Sequence, residues 1–282
     1  MFNSTNDLSS KPVAWITGSG AARIGRSIAQ HFANHGYRIV IHANHSRDSA
    51  NEFADELRRQ GRESMLVYGP IEQPDFARNA VAQIVEEFAR IDVLVNSAAI
   101  WDWKNLEATT AMDLQRQWEV NTLGTFLCSQ AAGLQMVEQP TGGAIILIGD
   151  WAVQRPYPDF SAYFASKGCI ETMTRTLAVE LATRNPAIRV NAILPGTVLL
   201  DASVSEEQAA RVNQQSLLKG PGRPEYVAQA AYFLATHEYI TGVCLPVDGG
   251  RSIHAGASFD AMAHAEYGNR NTLPIPPTKK KL

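Results

Sequence analysis

The sequence is short of the features that mark special environments. Its 282 residues hold three cysteines, Cys128, Cys169 and Cys244, widely separated and with no Cys-x-x-Cys pair. An odd, scattered set argues against a disulfide frame or a zinc site and fits a reducing compartment. No apolar run approaches the ~20 residues needed to span a bilayer. The stretch from Met1 to Lys11 is polar and lacks the apolar core of a secretory signal. Charge is sparse and nearly balanced, with 19% of residues charged and a formal net charge of -3. Such a surface has no broad attraction for nucleic acid or anionic membrane. His31 and His35 share one helical pattern but have no partner at metal-ligand spacing. The expectation is a cytoplasmic globular protein with no metal, nucleic acid or membrane partner. The ending Lys280-Lys281-Leu282 departs from a peroxisomal Ser-Lys-Leu address and reads as a solvated basic tail.

What is present is alternation. Short apolar runs at Val13-Ile16, Arg38-Ile41, Ser64-Val67, Val93-Val95, Ala144-Ile148, Arg189-Ile193 and Val243-Val247 read as strands. Between them, apolar residues recur at helical spacing in Ile24-His35, Ser49-Gln60, Phe76-Phe88, Phe126-Glu138, Ala162-Ala182 and Tyr226-Ala235. Strict alternation implies right-handed crossovers and a parallel sheet covered on both faces. The expected fold is α/β: a single doubly wound Rossmann-type domain over residues 11–253, with a parallel sheet of about seven strands. Residues 254–282, with Pro274, Pro276, Pro277 and the lysines, read as a C-terminal extension. Trp118 is expected in the core, and Glu86-Glu87 and Glu206-Glu207 on solvated helix faces.

The first strand runs into Thr17-Gly18-Ser19-Gly20-Ala21-Ala22-Arg23-Ile24-Gly25 and then a helix. In that setting glycines let the backbone approach a pyrophosphate, and the helix N-terminus offers free N–H groups and partial positive charge. Dinucleotide binding is the reading, and a turn with no ligand is the alternative. Cofactor choice is read about 20 residues further on, where an Asp or Glu would hold the ribose hydroxyls of NAD. The chain instead has Asn44, His45, Ser46 and Arg47, with no carboxylate. A hydroxyl, an imidazole and a guanidinium suit the 2′-phosphate of NADP(H). The competing account makes Ser46 a helix cap and Arg47 a solvated first-turn residue.

Between Gly149 and Lys167 lie Asp150, Tyr163 and Lys167. Tyr163 and Lys167 are spaced i, i+4 and so share one helix face. An ammonium there favours phenolate, lowers the tyrosine pKa and makes Tyr163 a proton donor near neutral pH. Tyr-x-x-x-Lys is common by chance, so its weight comes from its company.

That company is Asn96-Ser97-Ala98, Asn121, Pro195-Gly196 and Val247-Asp248-Gly249-Gly250, in this order along the chain. With these motifs, residues 11 to 253 resemble the short-chain dehydrogenase/reductase family. The resemblance implies that Asn121 helps hold a water linking Lys167 to solvent and that Lys167 also binds nicotinamide ribose. It also implies that Asn96 and Ala98 lie along the cofactor and that Pro195 and Gly196 border the nicotinamide. Three departures stand out: Arg23 replaces a glycine in a turn one residue longer, Asp150 replaces a serine, and Pro70 replaces an adenine-contacting Asp. Arg23-Ile24-Gly25-Arg26-Ser27, Asn44-His45-Ser46 and Asp150 with Tyr163 resemble the pteridine and dihydromonapterin reductases of this fold. Carried over, Arg23 contacts cofactor phosphate or substrate, and Asp150, Tyr163 and Lys167 form the catalytic set. Trp101 stacks on a pterin, with Trp103 its competitor. Relatives also place a mobile substrate loop at Val198-Gln215, and are commonly tetramers, which implies a homo-oligomer, tetramer or dimer.

The aspartate changes the expected chemistry. A ketone needs hydrogen-bond donors at its developing oxyanion, and a carboxylate opposes that. Ionised, Asp150 would also raise the pKa of Tyr163. A pterin is reduced at a ring C=N bond, whose nitrogen must be protonated as hydride arrives, and its amino donors suit a carboxylate. The sequence therefore points to an NADPH-dependent reductase of a small-molecule pterin or dihydropterin, with Tyr163 and Asp150 as proton donors. Two readings stay open beside it. One is an NADP-dependent carbonyl reductase or alcohol dehydrogenase on another small molecule, with Asp150 only bracing its loop. The other is an NADP-binding sensor without catalysis, against which the intact Asn121, Tyr163 and Lys167 speak.

Overall fold

The five residues of β1, Val13–Thr17, are all buried, as a strand covered on both faces requires. The structure, a computed structural model, describes residues 11–200 and 204–254, so the expected extension lies almost wholly outside it. Six further strands follow: β2 (Arg38–Ala43), β3 (Ser64–Tyr68), β4 (Val93–Asn96), β5 (Gly143–Ile148), β6 (Ile188–Pro195) and β7 (Cys244–Val247). They form one seven-stranded sheet in the order β3-β2-β1-β4-β5-β6-β7, and every pairing is parallel. The order reverses between β1 and β4, so the crossovers that leave these two strands part to opposite faces.

The helices are α1 (Ile24–Asn34), α2 (Arg47–Arg59), α3 (Phe76–Phe88), α4 (Ala111–Trp118), α5 (Thr125–Val137), α6 (Ser161–Lys167), α7 (Cys169–Ala182), α8 (Glu206–Asn213) and α9 (Pro224–Thr236). Side chains alternate across a strand, so β1 feeds two cores. Ala14 and Ile16 pack with Ile28 and Phe32 of α1, Phe53 of α2 and Leu234 of α9. Val13 and Trp15 pack with Ile84 of α3, Met136 of α5 and Leu181 of α7. Among the described residues, no helix is long and apolar enough to cross a membrane.

The architecture is the expected one, and the departures are local. The single helix expected over Ala162-Ala182 is two, α6 and α7, meeting at Gly168. A helix not anticipated from apolar spacing, α4, opens on a reciprocal cap. The Thr110 hydroxyl accepts from the Asp113 N–H at 3.3 Å, and the Asp113 carboxylate accepts from the Thr110 N–H at 2.7 Å. The segment Val198-Gln215, expected as a loop, carries α8, capped the same way by Ser205 and Gln208. Trp118 is 44% exposed, not core; the side chain buried in its turn is Gln117.

Phe32 is fully buried and meets Tyr37 and Tyr232 edge-on, at ring separations of 5.0 Å and 5.5 Å. Phe32→Ala is expected to cost about 3–5 kcal/mol. Urea denaturation should show a lower midpoint with an unchanged slope. An unchanged midpoint would contradict this packing.

Candidate active site

The carboxyl ends of β1 and β4 lie side by side, with Thr17 in register with Asn96. Above them opens a cleft of about 560 Å³. The Thr17 hydroxyl accepts from the N–H groups of Ser97 and Ala98, both at 3.0 Å, and so pulls the two strand ends together. Gly18 is the consequence. Its φ is +69°, and a Cβ there would stand 2.8 Å from the Ala98 Cα.

Gly18, Arg23 and Ile24 line the cleft, but Gly20 and Gly25 do not. A Cβ on Gly20 would meet the Ala43 side chain at 2.7 Å, and one on Gly25 the Gly18 carbonyl at 2.9 Å. These two glycines serve close packing of the turn on β2 and on itself. Arg23 is the exposed residue that precedes α1. Its carbonyl accepts from the N–H groups of Arg26 and Ser27. Of the four first-turn donors that a helix cannot satisfy internally, those of Arg23 and Arg26 go to the Ala21 and Arg23 carbonyls, which leaves those of Ile24 and Gly25.

Asn44, His45 and Ser46 line the same end of the cleft. Ser46 precedes α2 but its side chain makes no capping bond. Arg47, expected beside them, does not line the cleft: its guanidinium lies over the Tyr68 ring, 4.9 Å from the centroid. Ile71 and Glu72 close this end after β3, and Glu72 is paired with Arg116 of α4 at 2.6 Å.

Asp150 follows β5 and opens a 3-10 turn, Trp151–Val153. One oxygen, Oδ1, accepts from the Ala152 N–H at 2.8 Å, and the other, Oδ2, accepts from the Tyr163 hydroxyl at 2.8 Å. The two roles weighed for Asp150, brace and site group, therefore fall to different oxygens of one carboxylate. Tyr163 is buried on α6, and both residues line the cleft. Burial first, and then the Asp150 carboxylate, hold the Tyr163 pKa well above its ordinary value. That reverses the lowered value expected from the neighbouring lysine.

Lys167, on the next turn of α6, also lines the cleft, and its Nζ donates to the Ile148 carbonyl at 2.8 Å. Burial pulls its pKa down to about 8, with Asp150 acting in the opposite sense. Trp101 borders the cleft 40% exposed, stacked on Phe160 at 5.3 Å and 13°. Trp103 does not border it. Behind Trp101 an aromatic cluster of Trp151, Tyr157, Phe160, Tyr163 and Phe164 forms a stiff wall.

Asn121 and Asn96 hold the frame and do not line the cleft. Asn121 is wholly buried in a π-helical turn, Glu119–Gly124, between α4 and α5. Its Oδ1 accepts from the Ile100 N–H at 2.9 Å. Its Nδ2 faces the Ile100 carbonyl, Gln117 Oε1 and Ser166 Oγ at 3.0, 3.0 and 2.9 Å, more acceptors than it has protons. Asn96 donates to Ser129 of α5 at 2.9 Å. Ala98, Pro195 and Gly196 line the cleft. A Cβ on Gly196 would stand 2.7 Å from the Asp248 Cα, which ties Pro195-Gly196 to the Asp248-Gly249-Gly250 turn.

Sequence reading missed His42, Glu72, Arg116 and Thr197, all of which line the cleft, while Val198 and Leu199, which line it too, open the segment expected as a substrate loop. A polar residue inside the apolar run of β2 was the available signal for His42. The other residues reach the site only through tertiary packing.

A family model described as enoyl-(acyl carrier protein) reductase matches residues 20–252. Glucose 1-dehydrogenase 2 of Bacillus subtilis (strain 168) is 32% identical over 88% of this chain and 97% of its own. A 3-oxoacyl-[acyl-carrier-protein] reductase of Staphylococcus epidermidis (strain RP62A) is 32% identical over 82% of this chain and 96% of its own. Among solved structures, a blue fluorescent protein from a metagenomic library, in complex with NADPH, superposes with a TM-score of 0.77. It shares 31% identity and covers 85% of this chain and 97% of its own. The motifs in their order, the sheet topology and these matches agree that the chain belongs to the short-chain dehydrogenase/reductase family of NAD(P)-dependent oxidoreductases.

Proposed function

We propose that this protein is an NADPH-dependent reductase of a flat, nitrogen-containing heterocycle of the pterin or dihydropterin class. The observation that carries it is the 2.8 Å bond from the Tyr163 hydroxyl to Asp150 Oδ2, inside a cleft bordered by Trp101. A carboxylate at this position accepts hydrogen bonds, so it favours a substrate that donates amino protons and takes a proton at nitrogen over one that builds charge on oxygen.

The cleft suits the cofactor. The first turn of α1 supplies an anion-compatible surface beside Gly18, and Arg23, His45 and Ser46 supply donors where a 2′-phosphate would sit. When bound, NADPH supplies the hydride. The chain's own groups do the rest. Lys167 and Tyr163 stand on one face of α6, and Lys167 puts an ammonium beside the Ile148 carbonyl. Tyr163, held protonated by burial and by Asp150, is a proton donor and not a phenolate base. The Tyr163 proton passes to the acceptor nitrogen as arriving hydride raises that nitrogen's basicity, and solvent restores it to the phenol after product leaves. Trp101, with Phe160 fixed behind it, offers an aromatic face worth roughly 0.5–1.5 kcal/mol to a stacked ring beyond burial. We extend the proposal to a homo-oligomer, supported by Trp118, Phe126, Leu134 and Val179, apolar residues left exposed on α4, α5 and α7.

The relatives favour a second reading. A glucose dehydrogenase and a 3-oxoacyl reductase act, by name, on an alcohol and a carbonyl, so this chain as a carbonyl reductase or alcohol dehydrogenase is the direct competitor. The two are separated at Asp150. In Asp150→Ser, dihydropterin turnover is expected to fall about 100-fold while NADPH affinity holds. Equal turnover in the variant, or activity confined to small ketones and sugars in the wild type, would sink the pterin reading.

Cofactor choice is tested by kcat/KM with NADPH and with NADH. NADPH should be favoured by about tenfold or more, and Arg23→Ala or His45→Ala should narrow the gap. Preference for NADH would overturn the assignment of these residues.

The pH profile follows from Lys167. Its folded pKa of about 8 lies below its ordinary value, so the ammonium is lost as pH rises through about 8. Turnover should decline on the alkaline side there, and Lys167→Arg, which stays charged, should move the decline upward. An alkaline limb that ignores the arginine would remove the Lys167 charge from the account.

A further inference from the structure

His42 has no place in the chemistry above, yet it is a titratable side chain, 2% exposed, at the end of β2 and on the wall of the cleft. Three bonds tie this one residue to three successive residues of the glycine turn. Its Nδ1 accepts from the Gly18 N–H at 2.9 Å, its N–H donates to Ser19 Oγ at 3.2 Å, and its carbonyl accepts from the Gly20 N–H at 3.0 Å. On the other side of the ring, Nε2 meets the Gly69 carbonyl at 2.8 Å, at the end of β3. A backbone N–H can only donate and a carbonyl can only accept, so these partners fix one neutral tautomer, protonated at Nε2. Gly18 therefore spends its N–H on the ring and has none to offer a phosphate. What His42 supplies is the position of the turn.

We infer that His42 is a positioning residue for the cofactor: its neutral ring clamps the Gly18 turn between the ends of β2 and β3, and the clamp opens when the ring is protonated. The inference rests on the reading of the cleft as an NADP(H) site. Two of the three bonds to the turn come from the backbone of residue 42 and survive any substitution. Only the Gly18 bond depends on the side chain, and it holds the residue that sits against Ala98 at the floor of the cleft.

A second proton on the ring would turn Nδ1 from acceptor to donor, facing another donor. Burial holds the His42 pKa below its ordinary value, partly offset by the Gly69 carbonyl and by Glu72. The sign is that of a depressed base. The neutral clamp is complete above the ordinary histidine range and is lost as pH falls through the lowered folded value. The groups around the ring agree with a neutral form. The turn after β1 presents Gly18 and Ser19, and α3 presents the Phe76 ring edge-on at 5.2 Å. The loop after β3 presents Glu72, paired with Arg116, which favours the protonated ring but does not outweigh burial.

The two ring nitrogens can be tested one at a time. Asparagine places an acceptor where Nδ1 stands and cannot be protonated; glutamine reaches toward Gly69 and leaves Gly18 without a partner. NADP+ affinity of the full chain is measured by titration calorimetry from pH about 8 down to about 5, spanning the histidine range. His42→Asn is expected to match the wild type at the upper end, and His42→Gln to bind about tenfold more weakly there. As pH falls, the wild type should lose affinity relative to His42→Asn, a ratio in which the cofactor's own phosphate titration cancels. Equal affinities for all three proteins would overturn the clamp, and a ratio constant with pH would overturn its opening on protonation. Hydrogen exchange at the Gly18 amide, read without cofactor, keeps the two readings apart. Protection in the wild type and His42→Asn, lost in His42→Gln, supports the clamp even if NADP+ does not bind, in which case it is the cofactor reading that has failed. Equal exchange in all three overturns the clamp itself.

Discussion

The structure turns on the contact between the ends of β1 and β4. Because the crossovers on either side of this pair leave for opposite faces, no helix can cover the strand ends, and a cleft must open there. The Thr17 hydroxyl, shared by two N–H groups of the Ser97-Ala98 segment, sets how close the ends come. That closeness excludes a Cβ at Gly18, and the turn that results carries α1 to the rim. One hydroxyl and one absent side chain thus determine where a dinucleotide can be held, before any residue that recognises it is considered.

On that frame the reactive end is built from groups that change each other's ionisation. Asp150 cannot swing freely into the cleft, since one of its oxygens caps the turn at Ala152. The other accepts the hydrogen bond of the Tyr163 hydroxyl, and together with burial it makes the phenol a weaker acid than tyrosine in water. Burial acts on Lys167 in the opposite sense and brings its ammonium close to the physiological range. The lowered tyrosine expected from i, i+4 spacing neglected the desolvation of both partners. In a low-dielectric wall of Trp151, Tyr157 and Phe160, desolvation comes first, and the nearer formal charge is the carboxylate.

The fold was legible because both cores write themselves into the strands. Val13, Trp15 and Ile16 are uniformly apolar, as a doubly covered parallel strand must be, and the helices between them keep a one-sided apolar stripe. Where the stripe failed, local chemistry still carried the information. Thr110-x-x-Asp113 and Ser205-x-x-Gln208 announce α4 and α8 through their caps, not through periodicity. Trp118 shows the limit of reading hydrophobicity residue by residue, since its turn buries Gln117 and leaves the indole outside. In the site, residues fixed by backbone geometry, Gly18, Pro195 and Gly196, lie on the cleft, and the Tyr163–Asp150 pair meets there. Arg47 left the place expected for it, and His42, five residues earlier and given no role from the sequence, lies on the cleft wall. The flexible guanidinium found an aromatic face, and the ring inside the strand found the glycine turn. Which way a side chain leaves a strand end depends on its neighbours in β3, and nothing in the string Ile41-His42-Ala43-Asn44 records them.

The same dependence explains why Asn121 lies behind the wall of the cleft. A π-helical turn widens the helical path by one residue, so the side chain at its centre points between elements. From there the Asn121 amide reaches both the Ile100 backbone and Ser166 of α6. Gln117, itself buried, extends the chain by donating to Asp102 at 2.9 Å. Trp101 is thus flanked on both sides by residues bonded to one buried amide pair. An amide relays protons poorly, since passing one means giving up its own bonding pattern, so this network is better suited to fixing position than to carrying charge. Its effect is to make the aromatic border of the cleft and the helix bearing Tyr163 and Lys167 move as one body. The Trp101 face and the Tyr163 hydroxyl can then keep a constant separation while the other end of the cleft is held independently, by the glycine turn.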